Sequence, residues 1–266
     1  MSGSFIHRTF GRQAFGRDPA GYDAARPPYP EWVFDFLRER CGLAPGTVTF
    51  EIGAGTGTAT RRLLELGAKP LVAVEPDERL AAFLQETNPN KELTVVVTTF
   101  EDIVLREASF DLGFSATAFH WLDEDSALTK VAKLLRPSGW WAMLWNVFGD
   151  SGRADPFHEA TKSLLTKPLS PSDGNGDVPF ALDAEARIAA LGRTNAFDSI
   201  EHRTSTWPLL LDADQTVALY ATYSNVNIRP DREDVLTELR RIARDEFQGR
   251  VTRNMTTSLY VARRRP

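Results

Sequence analysis

Between residues 30 and 147 the apolar positions switch repeatedly between two spacings. From Pro30 to Leu43, Trp32, Val33, Phe36 and Leu37 recur at helical intervals, and Gly42 with Pro45 just beyond marks the end. Thr47 to Ile52 is a β-branched, apolar run, the signature of a strand. Gly53-Ala54-Gly55-Thr56-Gly57 follows, and Thr60 to Leu66 returns to helical spacing until Gly67 stops it. Leu71 to Val74 predicts a second strand ending at Glu75, and Pro76 with Asp77 opens a helix to about Glu86. Leu93 to Val97 and Phe110 to Ser115 predict a third and a fourth strand. Asp125 to Leu135 is a helix stopped by Pro137 and Gly139, and Trp140 to Val147 is a fifth strand. Strands alternating with helices of about ten residues imply a parallel sheet covered on both faces.

Beyond Val147 the texture changes. Gly149 to Asp177 is rich in Gly, Pro, Ser and Asp, with only Phe157 to Leu165 helical in pattern, which predicts an inserted cap. Phe197 to Leu211 then reads as a strand, Gln215 to Tyr223 as a helix, Asp231 to Phe247 as a long charged helix and Thr256 to Ala262 as a last strand. No internal repeat interrupts this order. The expectation is one domain over 1–266, with a core of about 30–147 plus 197–264 and a cap insertion of about 150–196.

Composition narrows the class of molecule. Of the 266 residues 42% are apolar, 25% charged and 10% aromatic, the range of an ordinary globular chain rather than a disordered one. The net charge of −5 removes the phosphate-neutralising balance on which nucleic-acid affinity rests, so no nucleic-acid partner is expected. Cys41 is the only cysteine, which leaves no internal disulfide and no cysteine-cluster metal site; no metal is expected. His7, His158 and His202 are dispersed without metal-ligand spacing. Met1 to Asp18 lacks the apolar core of a secretory signal, and Trp140 to Trp145 is far shorter than the ~20 residues of a membrane span. The expected setting is cytoplasmic, with no membrane partner and a monomeric or homodimeric state.

The glycine loop is the first segment that suggests chemistry. A strand running into Gly53-Ala54-Gly55-Thr56-Gly57 and then a helix brings backbone close to a ligand and aims amides at it, so a nucleotide-like occupant is expected. The dinucleotide fingerprint requires glycine at its sixth position, where this chain has Thr58, and no Gly-Lys-Ser/Thr follows for a phosphate loop. Glu75, at the end of the next strand, is placed to accept hydrogen bonds from both hydroxyls of a ribose; its alternative is a solvated strand-end carboxylate.

The run Glu51-Ile-Gly-Ala-Gly-Thr-Gly57 with Glu75 resembles the cofactor motif of class I S-adenosylmethionine-dependent methyltransferases. Phe100-Glu101-Asp102, Phe110-Asp111-Leu112, Phe119-His120-Trp121 and Leu134-Leu135-Arg136-Pro137-Ser138-Gly139 match it in order and spacing. The resemblance spans Tyr22 to Val147 and is greatest to the small-molecule branch that includes trans-aconitate methyltransferase, with the methyltransferase type 11 domain. It implies an α/β, Rossmann-like, seven-stranded and mostly parallel sheet with helices on both faces and an inserted cap. It also implies S-adenosylmethionine as cofactor, held by Glu51, Gly53, Ala54, Gly55, Gly57, Glu75, Pro76, Phe100, Glu101 and Ser115. Two positions depart from the family: Ser138 where glycine is usual, which affects a turn, and Thr99 where many members carry an Asp near the adenine.

Each remaining candidate carries two readings. Tyr22, Arg26 and Tyr29 lie in a segment that, by the resemblance, folds over the cofactor; Arg26 is a bidentate carboxylate ligand or a surface arginine, and the tyrosines wall the site or simply pack. His120 and Trp121 follow the fourth strand at the carboxyl edge of the sheet, where open α/β folds bind ligands. His120 is a candidate general base, against a hydrogen-bonded packing histidine. Trp145, Asn146 and Tyr223 are placed at the acceptor pocket, with core packing as the alternative. The reading this supports is direct in-line methyl transfer to a small-molecule acceptor: by the resemblance a carboxylate, which needs no base, or alternatively a phenol or amine from which His120 would take a proton. Its alternatives are a non-catalytic cofactor-binding module and, less favoured because Thr58 breaks the fingerprint, a nicotinamide-dependent oxidoreductase.

Overall fold

The computed structural model describes residues 6–8, 15–148, 151–165, 169–174 and 178–266. Residues 1–5 and 9–14 of the opening segment, and 149–150, 166–168 and 175–177 of the expected cap, lie outside the described residues.

Seven strands form one sheet: β1 (Thr49–Ile52), β2 (Leu71–Glu75), β3 (Leu93–Val97), β4 (Phe110–Ala116), β5 (Leu135–Val147), β6 (Phe197–Leu211) and β7 (Val251–Arg264). Their order is β3-β2-β1-β4-β5-β7-β6, with β1 to β5 parallel and β7 antiparallel to both β5 and β6. All four residues of β1 are buried, as a central strand covered on both faces requires. The strand order turns back between β1 and β4, so the crevice beyond their carboxyl ends is the natural ligand position in such a sheet. This is the α/β, mostly parallel arrangement that the alternating pattern predicts.

The helices lie where capping residues place them. α1 (Pro19–Ala25) is capped by Asp18, whose carboxylate accepts from the Gly21 amide, and α2 (Glu31–Cys41) ends at left-handed Gly42. α3 (Thr58–Glu65) leaves the glycine loop. Asp77 caps α4 (Glu78–Thr87), and Asp123 caps α5 (Glu124–Leu134). In the later half, α6 (Pro156–Leu165) is followed by α7 (Ala184–Arg193), α8 (Ala213–Tyr220), α9 (Ser224–Asn227) and α10 (Arg232–Arg241), which passes into a π-helical turn at Ile242–Glu246. One apolar cluster, around Phe50, Phe119, Trp141 and Trp145, fills one face of the sheet. A second, around Phe34, Leu63, Phe114 and Leu144, fills the other. A third, around Phe157, Tyr220, Tyr223 and Leu239, binds the late helices to the edge of the molecule. Among the described residues no helix is long and apolar enough to cross a membrane.

Several elements differ from the sequence expectation. Two helices are additional: α1, which the Asp18-Pro19 cap announces, and α7, which Asp183 caps by accepting from the Ala186 amide. Pro137 and Gly139 do not separate helix from strand. β5 starts at Leu135 and runs through them, with Ser138 in the left-handed region at φ 66° and a register shift opposite Phe110 to Leu112. The expected helix of Gln215 to Tyr223 divides at Ala221, and β7 begins five residues earlier than the apolar run suggests.

Candidate functional site

A cavity of about 380 Å³ opens at the carboxyl edge of the sheet, within the usual range of roughly 300 to 1,000 Å³ for small-molecule sites. Its floor is the glycine loop. Gly53 and Gly55 adopt φ 67° and 58°, the left-handed region that glycine enters without strain. A Cβ at Gly53 would stand 2.4 Å from that of Ala118, whereas a Cβ at Gly55 would meet nothing within 4 Å. The loop is therefore held close to the β4 exit on one side and bare towards the cavity on the other.

Two buried carboxylates flank this loop. Glu75, at the end of β2, accepts from the Gly55 amide at 2.8 Å and from the Asp77 amide at 2.9 Å, one bond to each oxygen. A carboxylate has about four acceptor positions, so roughly two remain for a ligand. Glu51 accepts from the Thr60 hydroxyl at 2.6 Å, and the buried Thr56 hydroxyl has no partner among the described residues. Burial pushes the Glu51 carboxyl up to about 8, with the neighbouring Glu75 adding to the shift, and burial pushes Glu75 up to about 7 against its two amide bonds. A cationic ligand beside these two acids would favour their ionised forms and draw off the protons that burial retains. Ile52, Ala54, Pro76, Thr99 and Phe100 complete this half of the wall.

The other half is aromatic and cationic. Arg26, just beyond α1, is held by one hydrogen bond, from Nη2 to the Thr222 carbonyl at 3.0 Å, and its guanidinium lies 4.9 Å from the Tyr22 ring and 5.2 Å from the Tyr223 ring. Its Nε and the Tyr223 hydroxyl are both buried without partners among the described residues. The Tyr29 hydroxyl bonds Thr117 Oγ1 at 2.8 Å, and burial pushes that phenol well above its ordinary value. Asn146 acts as a tie, its amide donating to the Pro28 carbonyl at 3.2 Å and its oxygen accepting from Thr257 at 2.7 Å, with one N–H and one lone pair beyond these two bonds. His120 sits in a short helical turn, Phe119–Trp121, with the Trp145 indole donating to its Nδ1 at 3.0 Å. Burial lowers its pKa to about 3, with the fields of Arg26 and Arg8 acting in the same sense.

Most sequence candidates reach this cavity: Glu51, Gly53, Ala54, Gly55, Glu75, Pro76 and Phe100 at the loop end, and Tyr22, Arg26, Tyr29, His120, Trp121, Trp145, Asn146 and Tyr223 at the other. Three do not. Ser115 is wholly buried and donates to the Ile52 carbonyl at 3.0 Å, tying β4 to β1 rather than meeting a ligand. Gly57 is left-handed at φ 91° as the start of α3, with the Leu84 side chain where its Cβ would be. Glu101 stands outside the wall, its carbonyl accepting from Lys130. A base role for His120 is also at odds with the geometry, since its one lone-pair nitrogen is already taken by Trp145.

The sequence missed part of the far wall. Phe180 comes from the cap, and Arg253 and Tyr220 from the late elements. Arg253, on the inward face of β7, pairs with Asp155 at 2.9 Å, both nearly inaccessible, and also donates to the Tyr220 hydroxyl. Burial alone would raise the Asp155 pKa, but the Asn254 and His158 amides and the Arg253 guanidinium hold it below its ordinary value. Extending the period-two pattern of the last strand back to Val251 would have placed Arg253 inward.

Residues 50–143 match the family model described as a methyltransferase domain. An uncharacterised methyltransferase of Schizosaccharomyces pombe is 30% identical over 58% of this chain and 60% of its own length. Alignments to two further curated relatives span 54% and 52% of their lengths, so the match covers little more than half of these proteins. Among solved structures, a putative type II methyltransferase from Anaeromyxobacter dehalogenans superposes with a TM-score of 0.62 at 22% identity, over 90% of this chain and 97% of that one. Phosphoethanolamine N-methyltransferase 2 of Haemonchus contortus, in complex with phosphomonomethylethanolamine and S-adenosylhomocysteine, superposes with a TM-score of 0.59 at 15% identity, over 96% of this chain and 60% of that one. At these identities the likeness is one of fold.

Proposed function

We propose, for a chain whose residues 50–143 match a methyltransferase-domain model, that it binds S-adenosylmethionine and transfers the methyl group to a small carboxylate. The observation that carries the reading is the left-handed glycine loop laid against a buried, half-satisfied Glu75 at one end of a cavity whose other end holds Arg26 without a carboxylate partner among the described residues. Glu75 would take the ribose hydroxyls on its remaining lone pairs, and Glu51 would face the cationic methionine end. Gly53, Ala54 and Gly55 would let the cofactor lie against backbone, with Pro76 and Phe100 on the adenosine side. When bound, the cofactor supplies an activated methyl group on a sulfonium sulfur.

The chain's own contribution is alignment and exclusion of water. Arg26 would orient the acceptor's carboxylate, which is ionised at neutral pH and needs no proton removed before it attacks. Tyr22, Tyr29, Trp121, Trp145 and Tyr223 wall the space around it. A cytoplasmic, small-molecule enzyme is the setting this reading fits. Binding without turnover would mark a cofactor-binding module instead, and the Thr58 position weighs against a nicotinamide enzyme.

Calorimetry with S-adenosylmethionine, S-adenosylhomocysteine and NAD tests the cofactor. Micromolar affinity for the first two and none comparable for NAD is expected. Glu75→Ala should weaken both by about tenfold or more, because each hydrogen bond to a charged group contributes roughly 1.5 to 3 kcal/mol. NAD binding as tight as that of S-adenosylmethionine, or unchanged affinity in a folded Glu75→Ala variant, would overturn the reading.

A further inference from the structure

His120 lines the aromatic half of the cavity, and its protonation state can be read from its neighbour. An indole nitrogen can only donate, so the 3.0 Å contact from Trp145 Nε1 makes His120 Nδ1 an unprotonated acceptor. The proton of the neutral ring then resides on Nε2, which has no hydrogen-bond partner among the described residues. The ring is fixed by Trp121 and Phe180, with centroids at 5.3 and 6.2 Å, and the charged groups that face it are Arg26 and Arg8. Both are cations that oppose a second proton, and the ring is nearly inaccessible. The result is a rigid N–H donor with no charge and no free lone pair.

The turn that carries His120 packs against Pro171–Asp173, and Asp173 also lines the cavity, one of its carboxylate oxygens accepting from the Ser170 amide. The Arg26 Nε and the Tyr223 hydroxyl are buried without partners among the described residues, Arg253 is neutralised by Asp155, and the carboxylates of Glu51 and Glu75 stand at the glycine loop. We propose that His120 binds the methyl acceptor directly, donating Nε2–H to a carboxylate oxygen in a tautomer locked by Trp145, with Arg26 on the same anion. This rests on the methyltransferase reading and deepens it. His120 then selects an oxygen anion and rejects a protonated amine, which would set one donor against another.

The test is nitrogen-15 NMR of histidine-labelled protein loaded with S-adenosylhomocysteine. The His120 resonances should show protonated Nε2 and bare Nδ1, unchanged from about pH 5.5 to 9 across the ordinary histidine range. Trp145→Phe should shift Nδ1. Titration with a panel of short mono- and dicarboxylates should move the Nε2–H resonance for at least one member, and for none of the matching amines. His120→Phe should weaken that carboxylate about tenfold or more, while His120→Gln, whose amide can accept from Trp145 and donate to the ligand, should retain most of the affinity. Protonated Nδ1, a titration within that range, or a resonance unmoved by every carboxylate would overturn the proposal. Failure of S-adenosylhomocysteine to bind in the same samples would instead overturn the methyltransferase reading.

Discussion

Glu51→Gln in the ligand-free protein should abolish much of a pH-dependent loss of stability. The Glu51 carboxyl is 1% exposed, has one hydrogen bond, from Thr60, and sits beside Glu75, so burial raises its pKa to about 8. The unfolded chain releases this proton near the ordinary value of about 4.3. Between those two values the folded state binds more protons than the unfolded one, so stability falls as pH rises and levels off above about 8. One pH unit corresponds to about 1.4 kcal/mol, so the step from pH 6 to pH 8 should cost roughly 2 to 3 kcal/mol through Glu51. Glu75, raised to about 7, adds a smaller loss of the same sign. Urea unfolding at intervals from pH 5 to 9 measures this directly, and glutamine keeps the shape and the acceptor for Thr60 while removing the titration. A variant with the same pH slope as the parent would refute the argument.

The Asp155–Arg253 pair gives a second expectation, because both partners are buried. Asp155→Ala should lose about 3 to 5 kcal/mol in urea unfolding by stranding the guanidinium, and Asp155→Ala combined with Arg253→Met should lose less than the single variant. A double variant worse than the single one would contradict it. At the glycine loop, Gly53→Ala places a Cβ 2.4 Å from that of Ala118 at φ 67°, which should lower stability by roughly 1 to 3 kcal/mol. Adding Ala118→Gly should restore only the steric share, and thermal melts of the three proteins separate the two.

Where a side chain's periodicity or absence dictates the backbone, the sequence was legible. β3 at Leu93–Val97 and β6 at Phe197–Leu211 fall at the residues their apolar runs mark, and the loop glycines take the positive φ values that only their composition announces. Ser115 shows the opposite case: the alternation of Phe110, Leu112 and Phe114 with Asp111, Gly113 and Ser115 sets its face of β4, but its partner, the Ile52 carbonyl, is supplied by a strand 63 positions earlier. The His120 tautomer depends on Trp145, 25 positions away on the next strand, a contact created by register rather than by local pattern. Arg253 escaped because a charged residue inside a strand argues against a strand until its partner Asp155, 98 positions earlier, is in place.

The position of β7 sets an order of events for a chain that is made from one end. β5 pairs with β4 on one side, but its other edge is completed only by β7, from Trp140 opposite Arg263 to Val147 opposite Thr256. Until residues past 251 leave the ribosome, a strand carrying Trp140, Trp141, Met143, Leu144 and Trp145 presents a bare edge to solvent or to other nascent chains, the kind of edge that templates intermolecular pairing. The protein should therefore depend on chaperones late in synthesis, and translation stalled or cut before residue 251 should yield aggregates rather than a smaller working domain.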